Sequence, residues 1–203
     1  MKIILITSPE EVKLELETID RLFEEGSDLL HIRKPEWSDE KLLKYVLSLP
    51  QSFRNQMAIH GNASIALELK VGGIHQKSNQ KPDEIPTSWK GRKSRSTHSI
   101  EEIESYQNKY DYYFLSPVFE SISKPGYKSS FDADELNNYL TKEREFEIFA
   151  LGGIDSSHVQ QCAEMGFDGV AIMGSIWQKD SLEERLKEFR SIKNGVDQLK
   201  QEV

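Results

Sequence analysis

The stretch FEIFALGGIDSSHVQQCAEMGFDGVAIMG, Phe146 to Gly174, decides the fold. FEIFAL is an apolar run of strand length that ends on the pair Gly152-Gly153. SSHVQQCAEMG has helical spacing and stops at Gly166, and DGVAIMG is a second short apolar run that again ends on glycine. Strand, helix and strand within about thirty residues make one β-α-β unit. Two strands joined through a helix lie parallel, because parallel neighbours need a crossover.

The alternation continues back to the N-terminus. KIILIT precedes PEEVKLELETIDRLFEEG, in which Val12, Leu16, Ile19, Leu22 and Phe23 share one helical face and Gly26 is the stop. DLLHIR precedes SDEKLLKYVLSL, with Ser38 as N-cap. QMAIH precedes SIALELK. GGIH precedes a polar, proline-bearing stretch, Gln76 to Gly91, read as loop or weak helix. KSRS precedes SIEEIESYQNK, DYYFLS precedes the helix around DADELNNYLTK, and a last helix, SLEERLKEFRSIKNG, follows the eighth run. Repeated β-then-α units predict an α/β chain. Residues 1–203 are expected to form a single (β/α)8 TIM barrel whose active site lies at the C-terminal ends of its strands. A doubly wound open sheet is the alternative topology.

Totals narrow the function. With 26 Lys and Arg against 34 Asp and Glu, the net charge of −8 argues against a nucleic-acid binder, which needs clustered cations. It leaves room for an anionic small molecule held by a few local groups. The one cysteine, Cys162, allows no disulfide and sits at helical spacing as a small buried hydrophobe. No run reaches membrane-spanning length, and MKIILITSP has too short an apolar stretch for a signal peptide. The expected address is cytoplasmic.

Four of the five histidines fall at or just after strand ends: His31, His60, His75 and His98, while His158 lies on a helix. In a barrel these ends share one rim, and imidazole is suited to moving protons near neutral pH. No carboxylate joins them there, so no metal site is expected. Arg33 reads either as a bidentate grip on phosphate or carboxylate, or as a salt bridge beneath the mouth. Gly152 and Gly153 after the seventh run, with Gly174 and Ser175 after the eighth, match the phosphate sites that barrels build there, although strand-to-helix turns use glycine in any case. LSPVFESISKPGYKSS, Leu115 to Ser130, leaves the sixth run and brings Ser121, Ser123 and Lys124 over the same mouth. Its plainer reading is a solvated loop.

Taken in order, these pieces resemble the thiamine phosphate synthase/TenI family across essentially the whole chain. HIR stands where the family has Gln- or His-x-Arg, GGIH where it has Gly-Val-His, and RSTHS where it has Ser-x-His. SPVFESISK is similar to Pro-Val-Phe-x-Thr-x-Thr-Lys, and ALGGI and GVAIMGSI to the closing phosphate motifs. The resemblance implies a (β/α)8 barrel that binds a thiazole phosphate. Ser121, Ser123, Gly153, Met173 and Gly174 would hold that phosphate, while Arg33, Ser96 and Lys124 would face a pyrimidine diphosphate. Relatives often pair, so a homo-oligomer is expected.

The departures from the family pattern bear on the reaction. His31 stands for the synthase glutamine, Pro35 for its lysine with Lys34 one place early, and His60-Gly61 for Asn-Asp; Gln80 lies near a lost acidic position. The carboxylates that would hold Mg2+ for a synthase are therefore absent, leaving Arg33, Lys34, Lys77 and Lys124 to steady a departing pyrophosphate. HIR and the glycine after the third strand resemble the TenI branch, whose thiazole tautomerases shift a proton without a cofactor. The histidine of that branch on the sixth loop corresponds to Pro117, so His31, His60 or His98 would move the proton. Three readings follow: a tautomerase, a divergent synthase, or a noncatalytic phosphate-binding barrel.

Overall fold

The structure, a computed structural model, describes residues 1–120 and 131–200. Strand β1 (Lys2–Ile6) pairs in parallel with β2 (Leu29–Ile32) on one side and with β8 (Gly169–Ile172) on the other. Between them β3 (Met57–His60), β4 (Gly73–Gln76), β5 (Arg92–Thr97), β6 (Tyr112–Leu115) and β7 (Glu147–Leu151) follow in chain order to a closed barrel. Closure excludes the open doubly wound sheet, which would leave two edges unpaired.

The connecting helices are α1 (Glu15–Glu24), α2 (Asp39–Ser48), α3 (Ala63–Leu69), α4 (Ile100–Ser105), α5 (Ala133–Leu140), α6 (Val159–Glu164), α7 (Gly174–Trp177) and α8 (Leu182–Leu199). Their starts follow side-chain chemistry. Ser38, Ser99 and Asp132 accept backbone N–H bonds from the first turns of α2, α4 and α5, and Ser181 with Glu184 forms a reciprocal capping box on α8. Each such cap contributes about 1 kcal/mol.

The loop or weak helix expected over Gln76–Gly91 is a loop that carries a short 3-10 turn, Pro82–Glu84, and two other local readings change. Outward-facing Arg95, 1% exposed, covers the strand face there. Its guanidinium donates to the Ser78 carbonyl at 2.5 Å and the Gln80 carbonyl at 2.8 Å, and stacks over Tyr106 at 4.1 Å. Helix α1 begins later than its apolar pattern predicts, so Leu16 faces solvent and Glu15 is buried beside Thr18, Ile19, Leu22 and Phe23. Finally, α8 runs through Gly195, where an added Cβ would lie 3.2 Å from Val159 Cγ1.

Alternation along each strand sends residues to two compartments. Ile3, Leu5, Leu30, Ile32, Ile59, Ile148 and Val170 pack outward against the helices, in the core that also takes Cys162. Ile4, Ile6, Tyr112, Phe114, Phe149 and Ala171 fill the barrel interior. On the β2–β6 side this interior turns polar: His31, His75 and Ser94 are fully buried. A buried polar group is costly unless hydrogen-bonded, so where their partners lie matters.

Candidate active site

A cavity of about 380 Å³ opens at the C-terminal ends of the strands. Arg33, His60, Ser96, His98, Gly153 and Gly174 line it, with Gly152 and Met173 beside the glycines and Ile6, Phe114 and Ala171 adding apolar wall. Residues up to 168 positions apart, Ile6 and Gly174, thus share one mouth, as the strand-end reading requires. Among the described residues, no carboxylate is part of that lining.

Arg33 leaves β2 with its backbone pinned: its N–H donates to the Thr7 hydroxyl at 2.9 Å, and that hydroxyl approaches the Arg33 carbonyl at 3.3 Å. Its guanidinium is half-buried in the cavity wall and has no hydrogen bond or ion pair to the described residues. Burial alone acts on it, lowering its pKa. Lys77 is a second cation on the lining.

Lys34 corrects the expectation that it faces the ligand. Successive residues on an extended segment point to opposite sides, and Lys34 turns away from the cavity. Its buried ammonium bonds both Glu15 carboxylate oxygens, at 2.7 and 2.9 Å, and the Glu10 carbonyl at 2.9 Å. This pair explains why α1 buries a glutamate. Desolvation pushes each partner towards neutrality, the Glu15 carboxyl upwards and the Lys34 ammonium downwards.

The four strand-end histidines divide into two levels. His60 and His98 reach the cavity, whereas His31 and His75 lie beneath it, inside the barrel. His31 joins Nδ1 to His60 Nε2 at 2.9 Å and Nε2 to the Tyr112 hydroxyl at 2.7 Å. His75 joins Nδ1 to Ser94 Oγ and Nε2 to Ser96 Oγ, both at 2.8 Å. Burial holds His31 and His60 well below the usual imidazole range and takes His75 down to about 3, so all three are neutral near pH 7. His98 uses Nδ1 to donate to the Ser116 carbonyl at 2.9 Å. A carbonyl can only accept, so in the neutral ring Nε2 keeps the lone pair.

The ligating nitrogens of His31, His60 and His75 all lie within 4.8 Å of one another. Their geometry suits hydrogen bonding better than metal binding. Both nitrogens of His31 and of His75 already have partners, and the His60 and His75 rings lie over one another, 4.1 Å apart and tilted by 30°. Nearly stacked rings do not aim two lone pairs at one ion. Magnesium, which demands oxygen donors, finds no carboxylate on the described lining and does not fit it.

The glycines have a packing role that the sequence reading did not separate from ligand binding. Gly152 and Gly153 adopt φ of +94° and +69°. A Cβ on Gly152 would meet Pro117 at 2.9 Å, and one on Gly153 would meet the Glu120 carbonyl at 2.4 Å. They let the segment after β6 lie against β7, where Val118 N–H donates to the Leu151 carbonyl and Phe119 N–H to that of Gly152. His158, bonded to Asp155 at 2.8 Å, stacks on Phe119 from outside. Gly174 opens α7 at the cavity edge. Ser175 points into the protein, where its hydroxyl is buried with no partner among the described residues. Ser121, Ser123 and Lys124 lie outside the described residues.

Tyr112 and Ser94 had no signal as site residues. Within the apolar run Tyr112-Tyr113-Phe114, period-two alternation separates inward Tyr112 from outward Tyr113, but the hydroxyl's partner comes from β2.

Residues 3–176 match the family model TMP-TENI, thiamine monophosphate synthase. The chain belongs to this family. A thiamine-phosphate synthase of Thermosynechococcus vestitus is 28% identical over 182 residues, covering 86% of this chain and 51% of the relative. One of Thermus thermophilus is 22% identical over 209 residues, covering 96% of this chain and 98% of the relative. The chain therefore spans about half the length of the first family member and nearly all of the second. The crystal structure of thiamine phosphate pyrophosphorylase from Bacteroides thetaiotaomicron superposes with a TM-score of 0.79 at 28% identity, over 97% of this chain and 98% of that one. A Pyrococcus furiosus structure of the same name has TM-score 0.79 at 17% identity, covering 97% of this chain and 96% of that one, and shares the thiamine monophosphate synthase fold. The family read from the ordered motifs is the one the comparisons return.

Proposed function

We propose that this chain catalyses a metal-independent proton shift on a thiazole phosphate, the aromatisation performed by TenI-like tautomerases. One observation carries the reading: a half-buried Arg33 guanidinium, unpaired among the described residues, shares its cavity with imidazoles, in a described lining that holds no carboxylate. A desolvated cation without a protein partner is relieved by an anionic ligand. Arg33 would take the phosphate or the ring carboxylate as a fork, with Lys77 adding charge from the rim. His98 offers a lone pair on Nε2, and His60 is neutral and lines the cavity, so either can remove a ring proton and return it elsewhere. The apolar wall of Ile6, Phe114 and Ala171 would pack the thiazole and exclude water.

A second reading, the thiamine-phosphate synthase itself, is favoured by the names of the relatives and by two cations on one rim. The reactions separate in one preparation. A tautomerase aromatises thiazole carboxylate phosphate with chelator present. A synthase releases pyrophosphate from the pyrimidine diphosphate and thiazole phosphate when magnesium is added. Aromatisation unaffected by chelator supports the proposal. Pyrophosphate release without aromatisation replaces it with the synthase.

A further inference from the structure

Beneath the cavity, six polar groups lie in series, joined by four hydrogen bonds and one cross-strand approach, and the series begins and ends on the cavity lining. His60 lines the cavity, and its Nε2 meets His31 Nδ1 at 2.9 Å; His31 Nε2 meets the Tyr112 hydroxyl at 2.7 Å. Tyr112 is the register partner of Ser94 across β5 and β6, and the two side chains lie inside the barrel close enough for the Ser94 hydroxyl to draw the phenol's pKa down against its burial. Ser94 Oγ lies 2.8 Å from His75 Nδ1, and His75 Nε2 lies 2.8 Å from the hydroxyl of Ser96, again on the lining. A further approach of Ser94 Oγ to the Ile74 carbonyl, 3.4 Å, is long for a hydroxyl bond. The stacking of His60 on His75 at 4.1 Å places the first imidazole of the series beside the last.

A purely structural polar cluster would need its groups satisfied, but not threaded in series between two openings. Every link joins groups that can both give and take a proton. The three imidazoles are neutral, each with one N–H and one lone pair, and the phenol keeps its proton because burial raises it to about 12.

We propose that His60, His31, Tyr112, Ser94, His75 and Ser96 form a looped proton relay with both ends on the cavity, so that a proton taken from one position of a bound ligand is matched by one delivered to another. The inference rests on the proton-shift reading above. In one sense of the circuit His60, His31 and His75 all carry hydrogen on Nε2, and Ser96 points its O–H at the cavity. A ligand proton then bonds to His60 Nδ1. The Nε2 proton passes to His31 Nδ1, and the Nε2 proton of His31 passes to the Tyr112 oxygen. The phenol proton moves to Ser94, that of Ser94 to His75 Nδ1, and the Nε2 proton of His75 to Ser96, whose own proton bonds to the ligand. One proton enters and one leaves, no charge remains on the protein, and all three histidines now carry hydrogen on Nδ1. Water entering the open cavity between turnovers restores the first state. His60 and Ser96 touch the ligand; the other four act through them.

Histidine tautomers, read by long-range proton–nitrogen correlation on the 15N-labelled full chain at pH 7.5, test the circuit without any turnover. The expected result is the same nitrogen protonated on His31, His60 and His75, or identical fractional populations on all three. Opposite tautomers on His31 and His75 overturn the relay. In Tyr112→Phe the populations of His31 and His75 should diverge, while inorganic phosphate binds within twofold of wild type; populations that stay locked together count against it. Ser96→Ala, at the cavity end, serves if the tyrosine variant does not fold, and should slow the proton shift at least tenfold. Wild type should show a curved dependence of rate on deuterium fraction, and both variants a linear one. A turnover rate unchanged in both variants sinks the relay and leaves the proton-shift reading intact. A wild type that turns over no thiazole carboxylate phosphate sinks that reading, and the tautomers still decide the circuit.

Discussion

Replacing Arg33 by methionine separates a ligand-binding cation from a structural one, because the two roles predict opposite effects on the empty protein. The guanidinium is half-buried and has no carboxylate or carbonyl partner among the described residues, so removing it breaks no bond there. Methionine keeps most of the aliphatic reach and removes a partly desolvated charge. Discounted for the solvent that still screens the group, the gain is at most about 1 kcal/mol. For a chain of this size that corresponds to a rise in Tm of no more than about 2–4 °C. Ligand binding moves the other way. A hydrogen bond to a charged group contributes about 1.5–3 kcal/mol, so inorganic phosphate or thiazole phosphate should bind about 10- to 150-fold more weakly. Isothermal titration at two salt concentrations supplies the Kd, and the wild-type affinity should fall more steeply with salt than that of the variant. A Tm lower by several degrees together with an unchanged Kd would refute the reasoning, since Arg33 would then be holding the fold and not the ligand.

Lys34→Met leaves Glu15 buried without its partner and should cost about 3–5 kcal/mol in urea unfolding, while phosphate affinity per folded molecule stays within twofold; a large loss of affinity at little cost in stability would return Lys34 to the ligand. Gly153→Ala places a Cβ 2.4 Å from the Glu120 carbonyl at a φ of +69° and should lower stability by at least about 1 kcal/mol. Thermal unfolding indistinguishable from wild type would show that the segment after β6 yields freely. His31, His60 and His75 have folded pKa values below the 6.5 of the unfolded chain, so their contribution is complete above about pH 6.5 and is lost as pH falls. With three protons taken up by the unfolded chain alone, stability should fall by up to about 4 kcal/mol per pH unit below about pH 5.5, measured by urea unfolding from pH 7.5 to 5. A flat profile over that range would mean that the histidines are charged in the folded state.

The barrel was legible because it rests on local pattern. Seven apolar runs and the polar KSRS, bounded by glycine or helical spacing, are properties of neighbouring residues, and their number favours closure of a parallel sheet. Caps such as Ser38 belong to the same class, since donor and acceptor lie within one turn. The cover of the β4–β5 connection escaped because it comes from Arg95, on the next strand. Helix α1 was misjudged at Leu16 for a similar reason: the residue that draws Glu15 inward is Lys34, on the far side of β2.

By itself, the sequence determined the order of the elements, the rim on which His60, His98, Arg33 and the glycines meet, and the family. It could not rank the histidines. His31, His60 and His75 occupy nearly equivalent places along their strands, yet one opens on the cavity and two are sealed under it. Strand tilt and register decide which side chain stands in which layer, and both are set by pairing between distant segments. The partners that fix each imidazole's proton, Tyr112, Ser94 and Ser96, come from strands nineteen or more residues away. Hydrogen bonds across a closed barrel depend on distances in space, and those exist only once the sheet has closed.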